Sequence, residues 1–460
     1  MMKNIKIYLF FLTTVLFVSC ESELALNPKQ SLDSGVVLTT ESGVKQVLVG
    51  AYANLANGSL YGGRTQIMAD LLGATGRSST THIEWYGTFA GFSDIYSKNM
   101  TNDNIFAEDL YRESYDVINA TNIVIENANL ITDLNDRKKA IAEAKFIQGL
   151  VYFDLVRYFA LPFDATTSNT QLGVIIKPKA IYKYQGADLS AERNTVAQVY
   201  TKVISSLEDA YADLPVTNGE FADKYAAQAL LARVYLQQQN YPKALTSAND
   251  VITNGTYSLS TTLLGAYNHD TKQSEDVFSI AITSQTGDNQ VNNSYASTNL
   301  GGRGGDIAIG GGYYLKFTDP NDKRSSFKYS NSLGDDLTLK YTNQFADVNV
   351  IRFAELLLIR AEANIRLTSA LGDTPRNDIN RIRTRAGANN FILAITLADV
   401  LNERQIELAF EGFWIHDLKR TKTTIVGQSK TFLYNDPKLV FPIPLRELNT
   451  NKKITQNPGY

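Results

Sequence analysis

The sequence predicts a mainly α-helical protein: helices stacked in pairs, long irregular loops between them, and a few short strands. Three observations predict it. Apolar residues recur at steps of three and four through eight segments, as helices with one buried face require. Two adjoining segments have the spacing of a paired helical repeat. The Gly-, Ser- and Asn-rich stretches at 58–97 and 283–312 have no such period, and loops of that length are usually functional or disordered.

The N-terminus carries Lys3 and Lys6, an apolar run at 7–18, then Ser19-Cys20. That order describes a secretory signal over residues 1–19. Its run rises only about 18 Å as a helix, short of a hydrocarbon core of roughly 30 Å, so it is a poor anchor by itself. Leu16-Phe17-Val18-Ser19-Cys20 resembles the lipobox of bacterial lipoproteins, which implies acylation of Cys20, the only cysteine. Several acyl chains on one residue meet the need for more than one anchoring signal. A lone cysteine also leaves no disulfide, so stability falls to the core. A net charge of −3 gives no basic footprint for nucleic acid. Residues 20–40 are polar, with turn signals at Asn27-Pro28 and Ser34-Gly35, and read as a tether into one helical domain over 41–460.

Within that domain the segment 110–130 is periodic, and 137–159 is apolar on two stripes. Ala140, Ala144, Ile147, Val151 and Leu155 form one, Phe146, Leu150 and Phe153 the other. A helix apolar on two sides is packed on two sides, so this one sits centrally. At 194–215, Val196, Val199, Val203, Leu207 and Ala210 line one face, with Asn194 or Thr195 as N-cap and Pro215 past the end. Segments 223–239 and 242–254 place Leu231, Ala232, Tyr235, Ala244, Ala248 and Val251 near tetratricopeptide spacing, turning at Asn240-Tyr241-Pro242. Short alternating stretches at 276–282 and 328–341 suggest strands. Helical periodicity returns at 351–367, 376–386 and 397–411.

An ordered set of motifs crosses these segments. It includes Leu110-Tyr111 with Asn119 and Asn122, Glu143-Ala144-Lys145-Phe146, Tyr152-Phe153-Asp154-Leu155, and Leu230-Leu231-Ala232-Arg233. Toward the C-terminus come Arg352-Phe353-Ala354-Glu355, Arg360-Ala361-Glu362-Ala363, Glu407-Leu408-Ala409-Phe410-Glu411-Gly412, Phe441-Pro442-Ile443-Pro444 and Asn457-Pro458-Gly459-Tyr460. The pattern resembles the SusD/RagB family of Bacteroidetes nutrient-uptake lipoproteins. The resemblance implies a tetratricopeptide-like scaffold on the outer face of the outer membrane. It implies a protein that binds glycans, or in some members peptides, and acts as a lid over a SusC-like TonB-dependent transporter. It implies no enzyme activity and no cofactor. Glu21 and Glu23 also resemble the export signal that sends such lipoproteins to the surface.

Residue chemistry gives few rivals. Glu403, Glu407 and Glu411 stand four apart and could serve a glycoside hydrolase; the plainer reading is an ion network with Arg352, Arg360, Arg381, Arg383 or Arg385. His82, His269 and His416 are scattered, whereas zinc wants clustered ligands. Asp319, Asn321 and Asp322 lack the spacing and terminal Glu of a calcium loop. Of two tryptophans, Trp414 sits within a helical motif and reads as core. Trp85 lies in a loop with Tyr86 and Phe89. Sugar rings stack on aromatic planes while amides and guanidinium groups bond their hydroxyls, so Trp85, Tyr86 and Phe89 are the expected platform. Asn293, Tyr295 and Arg303 are the expected contribution of the second loop. The competing reading of these aromatics is gap-filling under the loops. Peptide binding and a scaffold for protein partners alone remain open as functions.

Overall fold

The computed structural model describes residues 39–76, 80–182, 190–282, 289–427 and 430–460. The signal segment, Cys20 and nearly all of the tether lie outside the described residues. In chain order the main elements are α1 (Glu41–Leu55), α2 (Arg64–Gly73), β1 (Ile83–Trp85), α3 (Ala90–Ser97), α4 (Ile105–Asn127), α5 (Leu134–Phe159), α6 (Val196–Asp213), α7 (Lys224–Gln237) and α8 (Tyr241–Asn254). There follow β2 (Asp276–Ile280), α9 (Gln290–Tyr295), β3 (Ile307–Ile309), α10 (Gly311–Tyr314), β4 (Lys328–Ser330), β5 (Asp336–Thr338) and β6 (Val348–Arg352). The chain ends with α11 (Phe353–Leu367), α12 (Pro375–Arg385), α13 (Leu397–Glu407), α14 (Trp414–Arg420), β7 (Ile425–Val426), β8 (Thr431–Phe432) and α15 (Leu445–Thr450).

The mainly helical expectation holds. Helices pack in succession, α1 on α4, α4 on α5, α5 on α6, α6 on α7, α7 on α8, α8 on α11, and α11 on α12 and α13. The two-striped helix α5 is central, as its pattern requires, with Phe146, Tyr152 and Phe153 wholly buried between neighbours. Gly149 lets α6 pack closely: a Cβ there would lie 2.5 Å from Leu207 of α6. The caps follow the sequence. Thr195 Oγ1 accepts from Gln198 N–H and Gln198 Oε1 accepts from Thr195 N–H, closing a capping box on α6. Asp223 caps α7, and Asn240 with Pro242 starts α8.

Four segments differ from expectation, one of them the loop expected at 283–312, whose described residues hold helix α9 and strand β3. Residues 58–97 contain two helices, α2 and α3, where no period was visible. Helix α2 is buried almost all round, from Thr65 to Gly73, so it has no polar face to generate one. The helix expected from residue 351 starts at Phe353, because 348–352 form strand β6 antiparallel to β2. A short buried apolar run reads the same way for either element. The helix expected to reach 411 stops at Glu407, since Phe410 (φ 68°) and Gly412 (φ 78°) are left-handed. Among the described residues, no helix is long and apolar enough to cross a membrane.

Candidate functional site

The two loops meet. Strand β1 pairs antiparallel with β3, with Ile83 opposite Ile309 and Trp85 opposite Ile307, and Tyr86 N–H extends the ladder to the Asp306 carbonyl at 2.8 Å. Side chains alternate across a strand, and the alternation decides which aromatic faces solvent. Ile83 and Trp85 point inward; Tyr86 is exposed and its hydroxyl bonds Glu84.

Trp85 is therefore not an open platform. It is only 5% exposed, its ring meets Phe92 edge-on at 5.6 Å, and its Nε1–H donates to Ser93 Oγ at 2.9 Å. Gly87 closes over it so tightly that a Cβ would fall 2.2 Å from the indole. Beneath lies an aromatic layer in which Phe92 and Phe106 stack at 3.8 Å. Phe89 stands on that layer, edge-on to both at about 6 Å, and is 40% exposed.

Arg303 reaches this face from the other loop. Its guanidinium carbon lies 4.3 Å from the Phe89 ring centroid, its Nε–H donates to Asp306 Oδ2 at 2.9 Å, and its Nη2 donates to Thr88 Oγ1 at 3.2 Å. Asn293, half-buried on α9, holds the loop by accepting Arg303 N–H on its carbonyl at 2.9 Å. Tyr295 goes elsewhere: it is 1% exposed and donates to Asp70 Oδ2 at 2.9 Å, deep in the core. Tyr86, Phe89 and Arg303 thus share the surface, with Trp85 and Asn293 supporting it, while Tyr295 presents no face to a ligand. The sequence reading missed Glu84, Thr88 and Asp306, which fix Tyr86 and Arg303. The Arg303–Asp306 spacing was the available signal.

The three glutamates whose spacing suits a hydrolase are held by cations. Glu407 is paired with Arg352 and Arg324, each at 3.2 Å, and with Arg385. Glu411 meets Arg352 at 2.8 Å and Lys340 at 2.6 Å, while Glu403 meets Arg324 at 2.6 Å and Arg383 at 3.2 Å. Burial pushes the Glu407 carboxyl up, but Arg385, Arg352 and Arg324 together hold it well below the usual carboxylate range. It stays ionised and salt-bridged, which is unsuited to proton transfer near neutral pH. Arg360 pairs instead with Asp378, and Arg381 lies over Phe353. Asp319 accepts from Arg383 and Asn389, and Asp322 binds Arg324. Among the described residues, no three His, Cys, Asp or Glu side chains are placed to hold a metal. Trp414 is half-buried and stacks on His82 at 4.2 Å.

Comparison with known proteins matches both halves of the chain. A profile described as "Starch-binding associating with outer membrane" covers residues 24–236, and one described as "SusD family" covers 256–460. The chain belongs to the SusD family. SusD-like protein P2 of Formosa agariphila is 25% identical, with 100% of each chain covered. Starch-binding protein SusD of Bacteroides thetaiotaomicron is 30% identical over 170 residues, covering 33% of this chain and 29% of that one. A SusD superfamily crystal structure, also from B. thetaiotaomicron, shares the fold: its TM-score is 0.81 at 24% identity, covering 91% of this chain and 100% of that chain.

Proposed function

We propose that this SusD-family chain is a lipoprotein tethered by lipid on Cys20 to the outer face of the outer membrane. It captures oligosaccharide on the Tyr86, Phe89 and Arg303 face and delivers it to a partner SusC-like TonB-dependent transporter. In this reading residues 1–19 are removed, 20–40 form the tether, and 41–460 are one binding domain. The observation that carries it is Phe89, exposed on a rigid aromatic layer with a guanidinium held beside it, an arrangement suited to a sugar ring and its hydroxyls. The starch-binding names of the matching profile and of the B. thetaiotaomicron relative support the ligand class. The engagement of Glu403, Glu407 and Glu411 by cations favours capture over turnover. The test is calorimetric titration with a broad glycan panel, paired with affinity purification of the tagged chain from its own outer membrane. Binding without cleavage and a co-purified channel are expected. No glycan bound and no channel recovered would defeat the proposal.

A further inference from the structure

A cavity of about 680 Å³ lies apart from the aromatic face, between α4, the segment 175–181 and α15. Ligand sites commonly enclose about 300–1,000 Å³. Two polar voids inside the scaffold are far smaller, about 20 Å³ beside Gln66 and about 40 Å³ beside Tyr61, whereas a shallow surface depression beside Glu41 reaches about 550 Å³.

Its walls are fastened. The rings of Tyr111 and Tyr115 lie 4.8 Å apart on α4, and Tyr115 donates to the Ile175 carbonyl at 2.8 Å. Asn119 bonds Ile181 twice, donating to its carbonyl at 3.0 Å and accepting from its N–H at 2.7 Å. Across the cavity Asn451 pins Ala191 in the same double fashion and also donates to Glu447 Oε1 at 3.1 Å. Among the described residues the lining holds three carboxylates (Glu108, Asp116, Glu447) and three cations (Arg112, Lys177, Arg446), with Arg112 also paired to Asp109 at 3.1 Å and Glu113 at 2.9 Å.

We infer that this cavity is a second ligand site, for a short neutral oligosaccharide. The inference rests on the reading of the chain as a glycan-binding protein. Carboxylates only accept hydrogen bonds and guanidinium or ammonium groups only donate, whereas every sugar hydroxyl does both. A neutral polyol therefore suits either kind of group, with tyrosine rings for its apolar faces. An ionic ligand would set its charge against three like charges and strip water from the rest.

The experiment titrates the full chain with short malto-, cello-, laminari- and xylo-oligosaccharides, with oligogalacturonate as the anionic control. Four proteins are compared: the parent, Phe89→Ala/Arg303→Ala, Asp116→Ala/Arg446→Ala, and Thr450→Trp, which fills the cavity from its exposed rim. Circular dichroism melts confirm that each is folded. A neutral sugar should bind the parent at two sites. The Phe89/Arg303 variant should keep one event, and both cavity variants should weaken that event at least tenfold. If the Phe89/Arg303 variant loses all binding, the cavity inference falls and the aromatic face stands. If only the cavity variants lose binding, the cavity stands and the aromatic face falls. Binding confined to oligogalacturonate, or cavity variants that titrate like the parent, overturns the inference.

Discussion

The guanidinium of Arg303 lies 4.3 Å above the ring of Phe89, although more than two hundred residues separate them in the chain. The β1–β3 ladder brings them together, and Asp306 and Thr88 fix the guanidinium from either side. The pair is thus ordered before any ligand arrives, which lowers the entropy cost of binding.

Phe89→Ala should weaken glycan affinity about tenfold, roughly 1.4 kcal/mol, by removing one stacking surface. Phe89→Tyr should retain it. Calorimetry on both variants checks this, and equal affinities for the two would tell against stacking.

Trp85→Ala should act on stability more than on affinity. Removing a buried indole typically costs about 3–5 kcal/mol, and Trp85 packs beneath the surface rather than on it. Trp85→Phe should recover much of the loss. Denaturant midpoints measured beside affinities separate the effects; a Trp85→Ala protein with parental stability and no binding would return the indole to the ligand.

Much of the scaffold was legible because its helices bury one face and leave another wet. The capping box at Thr195 and Gln198, the Asn240–Pro242 turn and the two stripes of α5 are all local patterns. What escaped were elements whose periodicity is erased by burial, such as α2, and strand β6, whose short apolar run continues into a helix. The candidate site was legible in part. Grouping both loops put Tyr86, Phe89 and Arg303 on one candidate face, but only strand register shows that Trp85 points inward with Ile83. Tyr295 could not be sorted from an exposed tyrosine by sequence, since its partners, Asp70, Tyr341 and Phe410, are remote in the chain.

Glu407, at the end of α13, ties strand β6, helix α12 and the turn at 323–326 together through Arg352, Arg385 and Arg324. Glu407→Gln should cost about 3–5 kcal/mol, because breaking a buried pair strands the opposite charge. Chemical denaturation measures it. A loss below about 1 kcal/mol would mean that the arginines find other partners.

Asp70 and His82, 4.0 Å apart in the core, should impose pH slopes of opposite sign. Burial pushes Asp70 up to about 7, against the bonds from Tyr295 and Gly412. Its stabilising contribution is full below the unfolded value of 3.8 and is lost as pH rises through about 7. Burial lowers His82 to about 3, with Lys98 and Lys316 adding to the effect. Its contribution is full above the unfolded value of 6.5 and is lost as pH falls through about 3. Between about pH 4 and about pH 6.5 the two nearly cancel. Measured as the difference from the parent, the stability of His82→Phe should therefore fall with rising pH, and that of Asp70→Asn should rise. Denaturant midpoints across that range check the signs; slopes of one sign in both variants would contradict the account.

The most direct test of glycan capture is titration calorimetry of the parent and of Phe89→Ala/Arg303→Ala against the same oligosaccharide panel. The account predicts that the parent binds at least one glycan without cleaving it, and that the double variant loses the event assigned to this face. A double variant that reproduces every parental isotherm would contradict it.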